Sequence, residues 1–516
     1  MIRKVVAPLL AGAMCLPGAA YAKWYKAESE HFIVYSEDSE ANVRHQAERL
    51  EKLNLLQHAV TGLEKDKPGL KVKLFVLPGY DDVYRSMPFP QAGVAGYYEA
   101  NVRGPYSVIS RANDSAHGFS SQLVLFHELT HHFMFQYYRV AYPPWYEEGF
   151  AEFVGASKVD DTDEVIVGQK SEGRYYTFAF DRWVNVREIL KARTYDDMGE
   201  DLGWLYAEGW LLTHYLTLGG KRDGQLAKYL NEINSGKSFE EAANNAFGDL
   251  GKLNAELISY SRRPRLPATG ITFKPVLIKP ITVEPLPADH AIMVLDDLQL
   301  FNGIPKADAK RFAARVRADA ARAGETVFTL RLRAEADRLA EDRADYAVAV
   351  ERWNAIAPDD PQAMMHQGLL KLDALSEAKS TDTAAWTAAR RIVANAARKA
   401  PDDPLVLKTY FDSFRMQGIL PTADAHNALY RALDLVPFDN EVRYQLASSF
   451  EAHGAIKDAI VTIRLAAFSE KDSLTPKEKA KRDKDQERYR LAGSTKHETP
   501  REMYDRLVKL QADKPT

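Results

Sequence analysis

The stretch LVLFHELTHHFMFQY, residues 123–137, decides how this 516-residue sequence is interpreted. Apolar residues on both sides of the polar HELTH segment predict a buried helix. Residues four positions apart lie on one face of a helix, so the imidazoles of His127 and His131 can reach one metal ion. Glu128 then lies beside an open coordination position, where hydrolysis needs a general base. Surface histidines that bind nothing remain the alternative, although burying such groups without partners costs free energy.

A second segment, PPWYEEGFAEF at residues 143–153, supplies a carboxylate for the same site. The prolines suit the start of another helix, and Gly149 predicts that this helix packs closely on the first one. Two histidines and Glu148 would leave a fourth tetrahedral position for water. No cysteine outside residues 1–22 is present, so a metal site has to use His, Asp or Glu.

Together, these two segments resemble the zinc-binding segments of gluzincin metallopeptidases, the group that includes aminopeptidase N-like and peptidase MA-like enzymes. The resemblance implies a zincin-like α+β domain, Zn²⁺ as cofactor, and a protein or peptide as substrate. It also implies that Glu148, and not Glu147, is the third ligand beside His127 and His131. The segment YAEGWLL at residues 206–212 is similar to the one whose leading tyrosine hydrogen-bonds the reaction intermediate. By that mapping Tyr206 joins Glu128 as a catalytic residue; the alternative is that Tyr206 only packs.

Three further residues near the predicted metal site have less specific roles. Glu152 lies one turn beyond Glu148 and is the carboxylate that we expect to orient a ligating histidine. His132 points about a quarter turn away from His131, so we expect a neighbour rather than a ligand. The segment GYYEAN at residues 96–101 departs from the exopeptidase strand of aminopeptidases. Glu99 there either holds a substrate amine or is an exposed edge residue, and the strand context favours neither. We therefore do not expect an aminopeptidase.

The N-terminus reads as a signal peptide over residues 1–22. Arg3 and Lys4 precede an apolar run that is shorter than the roughly 20 residues needed to span a bilayer, and Ala20-Tyr21-Ala22 follows as a cleavage signal. The alternative is a membrane anchor. Cleavage predicts an exported chain, periplasmic or secreted, without an integral membrane segment. The net charge of −4 gives no reason to expect a nucleic acid partner.

Residues 23–263 mix short β-rich runs with amphipathic stretches, which predicts an α+β domain. Strands are expected at residues 31–35 and 72–77 and within 93–110, with a turn at Gly104-Pro105. A helix capped by Asp38 and Ser39 is expected over residues 41–63. Six prolines in residues 264–289 then indicate a linker or an edge strand, and a domain boundary.

Residues 290–468 predict an all-α domain built from repeats. The same spacing of small and apolar residues occurs three times: Ala389, Val393 and Ala396; Ala425, Leu429 and Ala432; and Ala459, Ile463 and Ala466. Pro401 and Pro437 follow the first two sets. This pattern resembles tetratricopeptide repeats, with a generic helical bundle as the alternative. Residues 469–516 are charge-rich and predict a solvated helix or a disordered tail.

Two functions follow from this organisation. The first is a zinc-dependent peptidase whose helical repeats bind the substrate or a partner protein. The second is a periplasmic scaffold in which the repeats supply the function and the metal site is structural. Glu128 favours the first hypothesis, because a purely structural site needs no general base.

Overall fold

The computed structural model describes residues 23–63, 69–87, 96–112, 121–137, 142–159, 162–180, 182–469 and 498–513; the predicted signal peptide lies outside them. The strands are β1 (Tyr25–Glu28), β2 (Phe32–Ser36), β3 (Val72–Leu77), β4 (Gly96–Asn101), β5 (Gly104–Ser110), β6 (Lys158–Val159), β7 (Glu164–Val167), β8 (Thr269–Thr272) and β9 (Thr282–Pro285).

The first helices surround the sheets: α1 (Glu40–Thr61), α2 (Tyr80–Ser86), α3 (Ser121–Tyr137), α4 (Pro144–Gly155), α5 (Glu172–Phe180), α6 (Val186–Lys191), α7 (Leu202–Leu218), α8 (Gln225–Asn234), α9 (Phe239–Phe247) and α10 (Leu250–Ser261). The C-terminal region is all-helical: α11 (Ala288–Asn302), α12 (Ala309–Ala323), α13 (Val327–Leu339), α14 (Arg343–Ile356), α15 (Pro361–Glu377), α16 (Thr383–Lys399), α17 (Pro404–Gln417), α18 (Ala423–Leu435), α19 (Asn440–Ala452), α20 (Ile456–Ser469) and α21 (Pro500–Ala512). The chain is therefore α+β with an all-helical C-terminal region, as predicted.

A six-stranded mixed sheet has the order β4-β5-β3-β2-β1-β9. Strands β2, β3 and β5 run parallel, and the outer strands pair antiparallel. The expected strands and helix are confirmed; the hydroxyl of Ser39 caps α1 by accepting the amide of Asn42 at 3.2 Å. The expected turn at Gly104-Pro105 is wrong by two residues. It falls at Val102-Arg103, and Gly104, with φ +105°, already begins β5.

Alternate residues of this sheet pack against helices on opposite faces, as the two-residue period of a strand requires. On one face, Val34 and Leu74 share a core with Leu50 and Leu53 of α1. On the other face, Phe75, Tyr106 and Val108 pack against α11 through Val294, Leu298 and Phe301. The sheet therefore connects the helix-rich N-terminal core to the start of the all-helical region.

The proline-rich segment 264–289 contributes one strand to each sheet. β9 pairs with β1 at the edge of the six-stranded sheet, and β8 pairs with β7 at the edge of a three-stranded sheet. Proline tolerates these edge positions because an edge strand leaves some amide positions unpaired.

The close approach predicted for Gly149 involves another helix than expected. A Cβ at Gly149 would lie 2.3 Å from the backbone carbonyl of Gly209 in α7, so Gly149 brings α4 against α7 and not against α3. Gly155 is the glycine of α4 that lies against α3. A Cβ at Gly155 would lie 3.3 Å from the amide nitrogen of His127. The sequence showed the need for a small residue but not its partner.

The residues of the threefold spacing all lie in buried positions, on α16, α18 and α20. Each of these helices packs against the helix that precedes it, α15, α17 or α19. α21 covers α20 with Met503 and Leu507, which are buried, so this part of the predicted solvated tail is packed. Residues 470–497 lie outside the described residues. Among the helices that are described, none has the length and apolar composition required to cross a bilayer.

Candidate metal centre

Two helices bring the three candidate ligands to one point. α3 carries His127 and His131 one turn apart, and α4 packs across it with Glu148 directed at both rings. The Nε2 atoms of the two histidines are 3.1 Å apart. Oε2 of Glu148 lies 3.2 Å from Nε2 of His127 and 3.5 Å from Nε2 of His131. Within the described ranges, this is the one group of three or more His, Cys, Asp or Glu residues placed to hold a metal ion.

The cluster contains strong polar groups whose hydrogen-bonding capacity is unused. Among the residues that the structure describes, Oε2 of Glu148 is buried without a hydrogen-bond donor, and Nδ1 of each histidine makes no hydrogen bond. Burial opposes ionisation of Glu148, but the histidines outweigh it and hold the pKa of that carboxyl well below its usual range. Burial also opposes protonation of His131, yet the charge of Glu148 raises its pKa to about 9. The carboxylate therefore favours positive charge at this point.

The spacing of these atoms fits a tetrahedral metal ion. Ligands at the roughly 2.0–2.2 Å typical of zinc lie about 3.3–3.6 Å from one another in a tetrahedron. The three observed separations of 3.1, 3.2 and 3.5 Å are close to that range. A divalent cation would also satisfy the unused oxygen of Glu148. His127, His131 and Glu148 are therefore suited to hold one metal ion, with a fourth position for which the described residues supply no further ligand of this kind.

Glu152 lies beside the cluster, as expected for a carboxylate that orients a ligand. Its Oε1 is 3.4 Å from Nδ1 of His127, although the two do not form a well-aligned hydrogen bond. Arg174 donates to the same oxygen at 2.7 and 3.0 Å, and Ser171 donates to Oε2 at 3.1 Å. Glu152 is thus fixed mainly by α5 and its start. No sequence pattern had pointed to Arg174 or Ser171.

Tyr195 makes a direct contact with the ligand Glu148, and no sequence pattern had pointed to it. Its buried hydroxyl donates to Oε1 of Glu148 at 2.7 Å, and this leaves Oε2 for the histidines. The residue belongs to a 3₁₀ segment, Tyr195–Asp201, which lies 47 positions after Glu148. Thr194 and Asp197 form a capping box that signals the start of this segment, but no local pattern indicates which way Tyr195 points.

Tyr206 lies next to the ligands. Its ring is nearly parallel to that of His127, with the centroids 6.5 Å apart, and the guanidinium of Arg174 lies 4.7 Å from its centroid. Burial and then the charge of Glu148 raise its pKa. In the described part of the chain, its hydroxyl has no hydrogen-bond partner, so it remains available to a bound molecule. Glu128 is half-buried, and its charge also acts on His131 and Tyr206.

The adjacent side of α3, which carries Glu128 and His132, faces the edge strand β4 and the helical region. The hydroxyl of Tyr98 and Nδ1 of His132 form a 2.8 Å hydrogen bond, and the ring of Phe438, between α18 and α19, lies 5.2 Å from that of His132. His132 is not part of the ligand cluster, as predicted. The side chain of Glu99 on β4 is exposed at the strand edge. Partial desolvation, and to a lesser extent the negative charge of Glu128, raises the pKa of Glu99. The edge strand therefore lies close to the candidate general base.

Comparison with known proteins adds no assignment. No protein-family model matches the chain, and no curated protein matches it with significant similarity.

Proposed function

We propose that this chain is a zinc-dependent metallopeptidase of the gluzincin type. The proposal depends on one observation above all: two imidazole nitrogens and one carboxylate oxygen from two helices lie 3.1–3.5 Å from one another. Two histidines and a glutamate with one open position are typical of catalytic rather than structural zinc sites. The resemblance of the HELTH and WYEEGFA segments to gluzincins supports zinc as the metal and a zincin-like fold for the α+β part.

Each residue around the cluster has a defined task in peptide hydrolysis. A bound zinc ion supplies a water of lowered pKa and polarises the carbonyl of the substrate. Glu128, half-buried beside the ligands, accepts a proton from the attacking water and passes it to the leaving amine. Tyr206 donates its hydroxyl to the oxyanion that develops on the substrate. Tyr195 and Glu152 hold Glu148 and His127 in position.

The helical region fits a role in binding the substrate or a partner protein. Its paired helices, with small residues at the same offsets in α16, α18 and α20, support a tetratricopeptide-like arrangement. Phe438 of this region touches His132, the neighbour of His131, so a molecule bound to the repeats would lie near the cluster. Export to the periplasm or the medium remains part of the proposal, on the strength of residues 1–22.

The decisive experiment combines metal analysis with a general-base variant. Purified chain should contain one zinc per molecule and should degrade unfolded casein. Glu128→Gln should keep the metal and lose activity by roughly 10²–10⁴-fold, the usual contribution of a general base. Glu241→Gln is the matched control, because Glu241 is exposed on α9 and pairs with the exposed Lys237 at 2.8 Å.

Two results would contradict the proposal. A chain that holds no metal after dialysis against zinc lacks the proposed centre. A chain that holds zinc but clears casein no faster than Glu128→Gln has a structural metal, which would favour the scaffold hypothesis.

A further inference from the structure

A cavity of about 450 Å³ lies away from the metal centre, between the six-stranded sheet and the helical region. The start of β3 and the turn between β4 and β5 form one side. α11, α13 and the first turns of α15 and α17 form the other side. Cavities of this volume, located where two parts of a protein meet, are the usual form of small-molecule sites.

Lys73 of β3 provides the unusual feature of this cavity. Its ammonium lies 4.1 Å from the centroid of Phe301 on α11. Within the ranges that the structure describes, no carboxylate comes within ion-pair distance of Lys73. Desolvation, with Arg331 and Arg103 adding to it, lowers the pKa of Lys73 to about 8 against the opposing charge of Asp297. Lys73 is half-buried, and a partly desolvated ammonium without an ion-pair partner is costly, so this arrangement favours an anion.

The arginines around Lys73 already have partners. Arg331 donates to Asp297 at 2.7 Å and to Glu335 at 3.2 Å, and Arg103 donates to the other oxygen of Glu335 at 2.5 Å. These two carboxylates balance the two guanidinium groups. Among the described residues, they leave the Lys73 ammonium without an ion-pair partner of its own, although the charges of Asp297 and Asp403 act on it from farther away.

The remaining charges of the lining are also engaged. Lys71 pairs with Glu28 at 2.7 Å, and Asp402 pairs with Arg431 at 2.5 Å. Asp403 caps α17 by accepting the amide of Val406 and also accepts the side-chain amide of Gln362 at 2.8 Å. Asp403 therefore serves mainly as the N-cap of a helix, and its charge acts on Lys73 only from beyond ion-pair distance. The site can take one negative charge and is poorly suited to a dianion.

Apolar side chains complete the cavity. Leu70, Val102 and Leu405 line it beside Phe301. We propose that this cavity binds a small organic monocarboxylate, whose carboxylate pairs with Lys73 and whose apolar part lies against these side chains. A peptide C-terminus with an apolar residue and a short fatty acid share that chemistry. Because the cavity has walls from both parts of the chain, the bound acid would contact the sheet and the helical region together.

Calorimetric titration of the full chain tests the proposal with matched probes. N-acetylleucine and hexanoate carry the carboxylate and an apolar group, and N-acetylleucinamide lacks the charge. We expect the acids to bind and the amide to bind at least tenfold more weakly. Lys73→Met should weaken binding of the acids at least tenfold. Lys71→Met, which changes a lysine of the same cavity that already has a counter-ion, should change it less than threefold.

A second measurement needs no variant. Reductive methylation of the wild-type chain followed by mass spectrometry should modify Lys73, and N-acetylleucine should protect it. Tighter binding of N-acetylleucine than of hexanoate would identify a peptide C-terminus as the natural group, and the reverse a fatty acid. Equal binding of acid and amide, or unchanged binding to a folded Lys73→Met chain, would overturn the proposal.

Discussion

The hydroxyl of Tyr195 decides which oxygen of Glu148 faces the histidines. It donates to Oε1 at 2.7 Å, within a buried pocket, and leaves Oε2 without a donor among the described residues. Groups that orient a metal ligand in this way commonly contribute 10–100-fold to metal affinity. We therefore expect Tyr195→Phe to weaken zinc binding by about 10–100-fold, measured by competition with a chromogenic chelator.

Tyr206→Phe is the matched control for that variant. The Tyr206 ring lies beside His127, but its hydroxyl bonds to no described side chain. Removing this hydroxyl should leave zinc affinity within about twofold while lowering casein turnover by about 10²–10³-fold, as loss of an oxyanion donor does. If both variants bind zinc as the wild type does, Tyr195 does not position the ligand.

Glu208 of α7 is a buried carboxyl, and neither of its oxygens has a hydrogen-bond partner in the part of the chain that the structure describes. Burial raises its pKa well above the ordinary 4.5. The unfolded chain loses this proton near pH 4.5 and the folded chain only at higher pH. The contribution of Glu208 to the free energy of unfolding is therefore fully present below pH 4.5. It is lost as the pH rises from there toward the raised pKa of the folded chain. In Glu208→Gln that loss is absent, so the wild type should lose stability relative to the variant by at most about 1.4 kcal/mol per pH unit.

Urea unfolding at several pH values above 4.5 measures this difference between wild type and Glu208→Gln. A difference in unfolding free energy that stays constant across the range would show that Glu208 titrates alike in both states.

Whole elements could be predicted from the sequence where the pattern is local. β3 begins and ends at the predicted residues 72 and 77, and α1 begins and ends within two residues of its predicted bounds. The pairing of His127 with His131 also followed from local spacing, because i and i+4 residues must share a helical face. The choice of Glu148 as the third ligand came instead from the resemblance to gluzincins. The direction of Tyr195 and the partner of Gly149 depend instead on how α7 and its 3₁₀ segment pack on α4. No local pattern contains that information.

The crossing of α4 and α7 has a test of its own. A Cβ on Gly149 would lie 2.3 Å from backbone atoms of Gly209, and backbone cannot move aside as a flexible side chain does. We expect Gly149→Ala to destabilise the chain by about 3 kcal/mol or more, the upper range of overpacking, and to weaken zinc binding because Glu148 is adjacent.

The control substitution lies in α7 itself. A methyl group added at Gly203 would have no described atom within 4 Å, and the backbone there is helical, so Gly203→Ala should stabilise the chain by up to about 1 kcal/mol. Thermal unfolding compares the two. Similar melting temperatures for Gly149→Ala and the wild type would mean that the helices separate without cost.

At the scale of the whole molecule, the helical region is joined to the sheet by ionic as well as apolar contacts. Arg103 from the turn between β4 and β5 reaches Glu335 of α13, and Asn101 of β4 donates to the backbone carbonyl of Phe301. Leu70 and Val102 pack against the core of the all-helical region. Apart from the contact of Leu70, which precedes β3, these contacts come from the end of β4 and the turn after it, and the charge of Glu128 acts on Glu99 of that strand. The helical region is therefore attached directly to one wall of the candidate site.

Substitution of Glu335 tests how much this attachment contributes to the stability of the chain. It is buried between Arg103 and Arg331, whose charges outweigh desolvation and lower its pKa to about 2. The stability it contributes is present above the ordinary pKa of 4.5 and is lost as the pH falls toward 2. Glu335→Gln leaves the arginines underbalanced at neutral pH, so we expect a loss of about 3–5 kcal/mol, measured by urea unfolding. Glu341→Gln, which breaks the exposed 2.9 Å pair with Lys306, should cost less than about 1 kcal/mol. Equal losses in both variants would show that the junction does not depend on the buried carboxylate.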